Sequence, residues 1–158
     1  MKKYYPIALN LKDKHALVVG GGKIAQRKVV SLRRAGALVR VVSPEITSTL
    51  KRFCEAGDIE WIERRVRPSD VKRADMIIAA TNDPEINKKV SRLARQEGIL
   101  INVVDDSHLS DFISPAVFRA RSGIVAVYTD GKDPVLSRDL KNFLKEKWRD
   151  FLRYRSRS

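Results

Sequence analysis

Six consecutive residues, Gly20-Gly21-Gly22-Lys23-Ile24-Ala25, put small side chains at the first, third and sixth positions of a turn. Each position has a physical use. Gly20 permits a tight turn, Gly22 lets the backbone approach a bulky anion, and Ala25 lets a following helix pack close to the preceding strand. The free N–H groups at the start of that helix, with the positive end of its dipole, form a site for phosphate. The pattern G-x-G-x-x-A means little unless a strand precedes it and a helix follows. Both are present. Ala16 to Val19 is a short continuous apolar run, as in a strand covered on both faces, and Ile24 to Ala35 reads as a helix stopped by Gly36. The chemistry indicated is dinucleotide binding, with the pyrophosphate on the Gly20 turn.

Such a site also expects an acid at the end of the second strand, to hold ribose hydroxyls. Here Ser43 stands there, followed by Pro44 and Glu45. The serine reads either as a helix cap or as a ribose contact, and Glu45 is the nearest acid. The residues leave NAD and NADP both open; the lack of an arginine directly after Ser43 favours NAD. Two further clusters fall at strand ends, where ligands bind in open parallel sheets: Thr81-Asn82-Asp83 and Asn102-Val103-Val104-Asp105-Asp106. One of the paired acids could serve as a general base if its surroundings favoured it. The alternative is that both cap turns, a common use of acids in loops. His108 lies just beyond and could line the site, whereas His15 reads as surface. Two histidines so far apart, with no cysteine near, make a poor metal signal, and no metal site is expected. Cys54, Trp61 and Trp148 read as packing residues.

The elements that must position these groups alternate along the chain. Strands are expected at 16–19, 38–42, 59–66, 76–80 and 99–104, with helices between them. Ser43-Pro44-Glu45 and Asp83-Pro84-Glu85 both give a cap, a proline at the first helical position and an acid in the first turn. They open helices expected to run to about 56 and 97. Strands separated by helices imply a parallel sheet with right-handed crossovers. The fold class is therefore α/β, a Rossmann-type parallel sheet followed by a small strand-helix segment. After Asp105 the pattern changes to two strands, 112–118 and 124–128, turning near Ser122-Gly123. Asp133-Pro134 then caps a final helix with Leu136, Leu140, Phe143, Leu144, Trp148, Phe151 and Leu152 on one stripe. The chain divides into a dinucleotide-binding domain, 1–111, and a segment, 112–158, too small for a core of its own. That segment is expected to pack on the first part or on another subunit. Tyr4, Tyr5 and Pro6 are expected to dock the amino terminus beside the sheet.

Bulk composition narrows the classes. The chain has 158 residues, which suits one domain with a small appendage. No run approaches the roughly 20 apolar residues of a membrane span, and Met1 to Pro6 lacks the apolar core of a signal peptide. The cytoplasm is the expected compartment. A single cysteine excludes an internal disulfide framework. The formal charge of +13 implies an anionic partner: nucleic acid, anionic lipid or an acidic small molecule. No motif for RNA or DNA accompanies it.

Taken together, the motifs carry a family likeness. Tyr5-Pro6-Ile7, the run Gly20 to Lys28, Ala79-Ala80-Thr81-Asn82-Asp83 and Asn102-Val103-Val104-Asp105 resemble the amino-terminal domain of sirohaem synthases. Phe112-Ile113-Ser114-Pro115-Ala116 and the runs Ala126-Val127 and Gly131 to Arg138 continue the likeness in order over nearly the whole chain. The resemblance implies an NAD-dependent oxidation of precorrin-2 to sirohydrochlorin; some members of the family also insert ferrous iron. It implies that Asp105 is the essential aspartate, a proposed general base. It implies cofactor contacts at Lys23, Ile24, Pro44 and Glu45, and a homodimer held by residues 112 to 140. Relatives usually carry a further helical segment over the tetrapyrrole, so the substrate site here is expected to be open or completed by a partner subunit. Some relatives have a serine where Thr129 aligns. A polycarboxylated tetrapyrrole would account for the positive charge, with Arg119, Arg121, Lys132 and Arg138 as carboxylate partners. The rival reading is a non-catalytic NAD(P)-sensing regulatory domain, which would share the glycine turn and not need Asp105.

Overall fold

The structure, a computed structural model, describes residues 4–121 and 123–156. The chain forms two compact units, Pro6–Phe112 and a second made of its amino-terminal end with the chain from Ile113 onward. Tyr4 and Tyr5 group with the second unit.

The first unit holds five parallel strands: β1 His15–Val19, β2 Leu38–Val42, β3 Glu60–Ile62, β4 Met76–Ala79 and β5 Leu100–Val103. Their order is β3-β2-β1-β4-β5, with Val18 opposite both Val41 and Ile78, and Ile78 opposite Asn102. This is a doubly wound sheet whose order reverses between β1 and β4, the place where ligands bind in such folds. Alternate side chains leave on opposite faces, and both faces are covered. Val18, Val41 and Ile78 pack with Ala25, Val29 and Leu32 of helix α1 (Lys23–Arg34) and with Leu50 of α2 (Ser48–Glu55). Leu17, Val19, Ile77 and Ile101 pack with Val71 of α3 (Pro68–Val71) and with Val90 and Ala94 of α4 (Pro84–Gln96). Each valine, leucine and isoleucine among them contributes about 1.5–3 kcal/mol by leaving water. Helix α1 ends as the sequence indicates, with Gly36 at φ +84° and the Ala37 N–H donating to the Leu32 carbonyl.

Three elements of the first unit differ from expectation, and in the second the strand expected at 112–118 runs from Ala116 to Ala120. Helix α2 does not start at Ser43. Its cap is Thr47, whose side chain accepts from the Leu50 N–H. Residues 43–46 instead form a non-helical connection: the Ser43 N–H donates to the Ile62 carbonyl, and the Ser43 carbonyl accepts the Trp61 indole N–H. Strand β3 is three residues long rather than eight. The chain turns away at Arg64, whose guanidinium donates to both oxygens of the buried Asp70 carboxylate at 2.8 and 2.7 Å, while Asp70 also accepts the Arg67 N–H at 2.7 Å. The short helix α3, not expected from the sequence, is capped by that same carboxylate.

The second unit pairs β6 (Ala116–Ala120) antiparallel with β7 (Gly123–Val127) and ends in α5 (Pro134–Arg155). Asp133 caps α5 by accepting the Leu136 N–H at 2.7 Å. Phe118 meets Trp148 edge to face at 5.4 Å, and Trp148 meets Phe151 at 5.3 Å. The expected stripe on α5 splits. Ser137 is buried and Leu144 and Trp148 half-buried, whereas Leu136, Leu140, Phe143 and Phe151 are exposed.

Candidate functional site

The turn after β1 requires glycine for reasons visible in its contacts. Gly20 sits at φ +113°, and a Cβ there would run into the Ala80 carbonyl oxygen. A Cβ on Gly21 would run into the Glu45 carbonyl oxygen. Only Gly22 faces open space, with nothing within 4 Å of where a Cβ would lie. The turn is therefore clamped on two sides by backbone and open on the third. The Gly20 N–H donates to the Val42 carbonyl and the Ala80 N–H to the Val19 carbonyl, which ties three strand ends together. Gly22 is the N-cap of α1 and supplies no side-chain bond to the helix. The first-turn N–H groups of α1 thus lack a side-chain acceptor, the first turn holds no acid, and it carries Lys23. Amides, dipole and ammonium together favour an anion.

Around this turn lies a cleft of about 1050 Å³ at the carboxyl ends of the strands, at the upper end of the size usual for ligand sites. The cofactor contacts expected from the sequence, and Asp105, all border it. Gly20, Gly22, Lys23 and Ile24 line it from the first turn; Ser43, Pro44 and Glu45 from the second; Thr81 and Asp105 from the fourth and fifth. The structure adds Arg65 and Val66 from the loop after β3, which the sequence reading missed. Their loop is fixed by the Arg64–Asp70 pair. The Arg64 hydrogen bonds hold the Asp70 carboxyl below the usual carboxylate range against the opposing cost of burial. On α1, burial aided by the Arg27 charge pushes Lys28 down to about 8.

The paired acids separate into two roles. Asp106 caps its own turn, accepting the His108 N–H at 2.7 Å and the Leu109 N–H at 3.2 Å. Asp105 is exposed, borders the cleft, and accepts from Asn87 Nδ2 at 3.5 Å. His108 is exposed and is not among the residues that line the cleft. Its carbonyl accepts from Arg95. His15 opens β1 at the amino ends of the strands. Cys54 and Trp61 pack against the core. In the second unit, Arg138 pairs with Asp139 at 2.9 Å and Lys132 with Asp130 at 3.8 Å, while Arg119 and Arg121 are exposed. The Thr129 hydroxyl lies 2.8 Å from that of Ser137 and 2.8 Å from the Asp133 carbonyl, at the start of α5.

A family model described as NAD(P)-binding matches residues 7–116, the whole of the sheet and its cleft. The chain belongs to this NAD(P)-binding family. It is 40% identical over 139 residues to the sirohaem synthase of Nitrosococcus oceani. It is 44% identical over 136 residues to that of Methylobacillus flagellatus. These alignments take in 88% and 86% of the chain but 30% and 29% of the relatives, so the chain spans under a third of their length. The likeness read from the motifs is thereby borne out. Among solved structures, SirC, a precorrin-2 dehydrogenase, superposes with a TM-score of 0.82 at 29% identity, over 91% of this chain and 71% of that one. The D-lactate dehydrogenase of Escherichia coli, at TM-score 0.50 and 21% identity, shares the fold. Among the described residues no helix is long and apolar enough to cross a membrane.

Proposed function

We propose that this chain is an NAD⁺-dependent dehydrogenase that oxidises precorrin-2 to sirohydrochlorin. The observation that carries the reading is the placement of Asp105 on the rim of the same cleft as the glycine turn, in a chain that is 29% identical to a precorrin-2 dehydrogenase across most of its length.

The residues fit a dinucleotide. The backbone amides of Gly22, Lys23 and Ile24 hold the pyrophosphate, and the Lys23 ammonium adds charge. Ser43, Pro44 and Glu45 hold the adenosine end. Glu45 repels a 2′-phosphate and so favours NAD⁺ over NADP⁺. Thr81 borders the opposite side of the cleft, although its hydroxyl already donates to Asn87 Oδ1 of α4 at 2.7 Å and accepts the Asp83 N–H. When bound, NAD⁺ accepts the hydride. The oxidation removes a hydride and a proton from the macrocycle, and Asp105 takes the proton. The side chain is a carboxylate at the cleft rim, reachable by substrate, which is the first requirement of a general base. The substrate's many carboxylates match the net charge of +13. A second copy of this chain covers the exposed apolar side chains of the second unit.

The assay is purified protein with precorrin-2 and NAD⁺, followed by absorbance. Asp105→Ala should lower turnover by roughly a hundredfold to ten-thousandfold, the usual share of a general base, with NADH affinity nearly unchanged. A chain that binds NADH but leaves precorrin-2 untouched would instead be an NAD(P)-sensing domain. A further spectral change on adding Fe²⁺ would extend the activity to metal insertion.

A further inference from the structure

The loop that carries Asp105 is held from one side by helix α4. Three polar side chains at one-turn spacing reach it. Asn87 Nδ2 donates to Asp105 Oδ1 at 3.5 Å, Ser91 Oγ to the Leu109 carbonyl at 2.6 Å, and Arg95 to the His108 carbonyl at 3.2 Å and Asp111 at 3.1 Å. Ser91 and Arg95 bond the backbone and the far end of the loop. Asn87 alone of the three touches the Asp105 carboxylate. It is 1% exposed, and a polar residue buried so deeply must satisfy its whole amide.

Its hydrogen bonds fix which way the amide points. A backbone N–H can only donate, and Thr81 N–H lies 3.2 Å from Oδ1. The oxygen therefore faces Thr81, where it also takes the Thr81 hydroxyl at 2.7 Å. Nδ2 is left with two protons. One goes to the Thr81 carbonyl at 3.1 Å and the other points to Asp105. The bond to Asp105 is long for N–H···O, and contacts of this kind commonly tighten when substrate completes the site.

We propose that Asn87 is a positioning residue: one buried amide holds the turn after β4 and the carboxylate after β5 in a single arrangement. The two loops that border the cleft on this side are thus joined by a side chain beyond the last backbone bond between them, from the Val104 N–H to the Ala79 carbonyl. The amide N–H orients Asp105 for proton removal. This inference rests on the dehydrogenase reading above.

Asn87→Asp separates the two halves of the role. It keeps an oxygen to accept the Thr81 N–H and hydroxyl, loses the donor to the Thr81 carbonyl, and replaces the donor to Asp105 with a like charge. The expected result is a fall in kcat of about tenfold to a hundredfold, the worth of a hydrogen bond to a charged group, with KM for NAD⁺ changed less than about threefold. In an Asp105→Ala background the same substitution should lower kcat no further, because residues that act as a unit are non-additive. Asn87→Ala removes both halves and should raise KM for NAD⁺ as well. NADH binding reports whether either variant folds. A second readout does not need turnover: the Asn87 side-chain amide signals in NMR, assigned by their loss in Asn87→Asp, should shift in Asp105→Asn. Unmoved signals would overturn the inference. So would an active wild type whose Asn87→Asp variant keeps full kcat. A wild type inactive on precorrin-2 would instead remove the dehydrogenase reading, and the amide shifts would still decide the contact.

Discussion

The two units treat their apolar side chains in opposite ways. In the first, Val18, Val41, Leu50 and Ile77 are wholly buried between sheet and helices. In the second, Ile124 is 57% exposed, Phe143 55% and Leu136 53%. Scattered exposed leucines are ordinary; a hairpin and a helix that both expose them are not. The difference follows from geometry. A five-stranded parallel sheet has two faces and enough helix to cover both, whereas a two-stranded ribbon with one helix cannot enclose a core. The first unit therefore needs only its own chain to hold the cleft in shape. The second leaves apolar side chains uncovered, and a second copy of the chain is the occupant proposed above.

This contrast predicts that damage to the two units is read by different measurements. The largest effect belongs to the first. Ile77→Ala removes a fully buried side chain from β4, and such truncations cost about 2–5 kcal/mol. The loss should appear in thermal or urea unfolding, and it should be the same at low and high protein concentration. A loss that vanished as the protein was concentrated would mean that the first unit is not self-sufficient.

The converse applies to the second unit. Leu140→Glu with Phe143→Glu places charges on two exposed side chains of α5. Unfolding of the monomer should change little, by analogy with other surface changes. Self-association should weaken by about a hundredfold, or roughly 2–3 kcal/mol, as expected when an interface anchor is removed. Sedimentation of wild type and variant over a range of concentrations separates these outcomes. Equal sedimentation, with the wild type at its monomer mass of 18.0 kDa, would leave the apolar face without its proposed partner.

The sequence made some of this legible and hid the rest for identifiable reasons. Strands β1 and β4 are short apolar runs because both of their faces are covered, β2 and β5 each carry one polar residue, Arg40 and Asn102, and the glycine turn is fixed by contacts no other residue type allows. Two identical signals then had different outcomes. Asp83-Pro84-Glu85 opens a helix, with the Asp83 carboxylate accepting the Glu85 and Ile86 N–H groups. Ser43-Pro44-Glu45 opens none. Its backbone bonds are claimed by β3 and Trp61, and Glu45 must run close under Gly21. Such long-range bonds are invisible in local pattern. Asn87 was hidden differently. It lies on the buried stripe of α4 with Val90, Ser91 and Ala94, so a polar residue at a core position was the available signal. Its partners, six and eighteen residues away, were not.

The smallest predicted effect tests whether the first unit's independence extends to its irregular loops. Asp70 is 6% exposed and bonded three times, twice by Arg64 and once by the Arg67 N–H. Its carboxyl is held below the range of the unfolded chain, mainly by the Arg64 hydrogen bonds. The folded state therefore binds this proton less readily than the unfolded state. The resulting stabilisation is complete above the unfolded value of about 3.9, and it is lost as pH falls through the lower folded value. Asp70→Asn keeps the shape and removes the charge. It should cost about 1–2 kcal/mol at pH 7, in line with charged hydrogen bonds. The gap between wild type and variant should close as the pH drops below about 4. Because Arg65 and Val66 line the cleft from the loop this carboxylate anchors, NADH affinity should weaken in parallel. A variant that lost stability but bound NADH as before would show that the loop after β3 borders the cleft without helping to shape it.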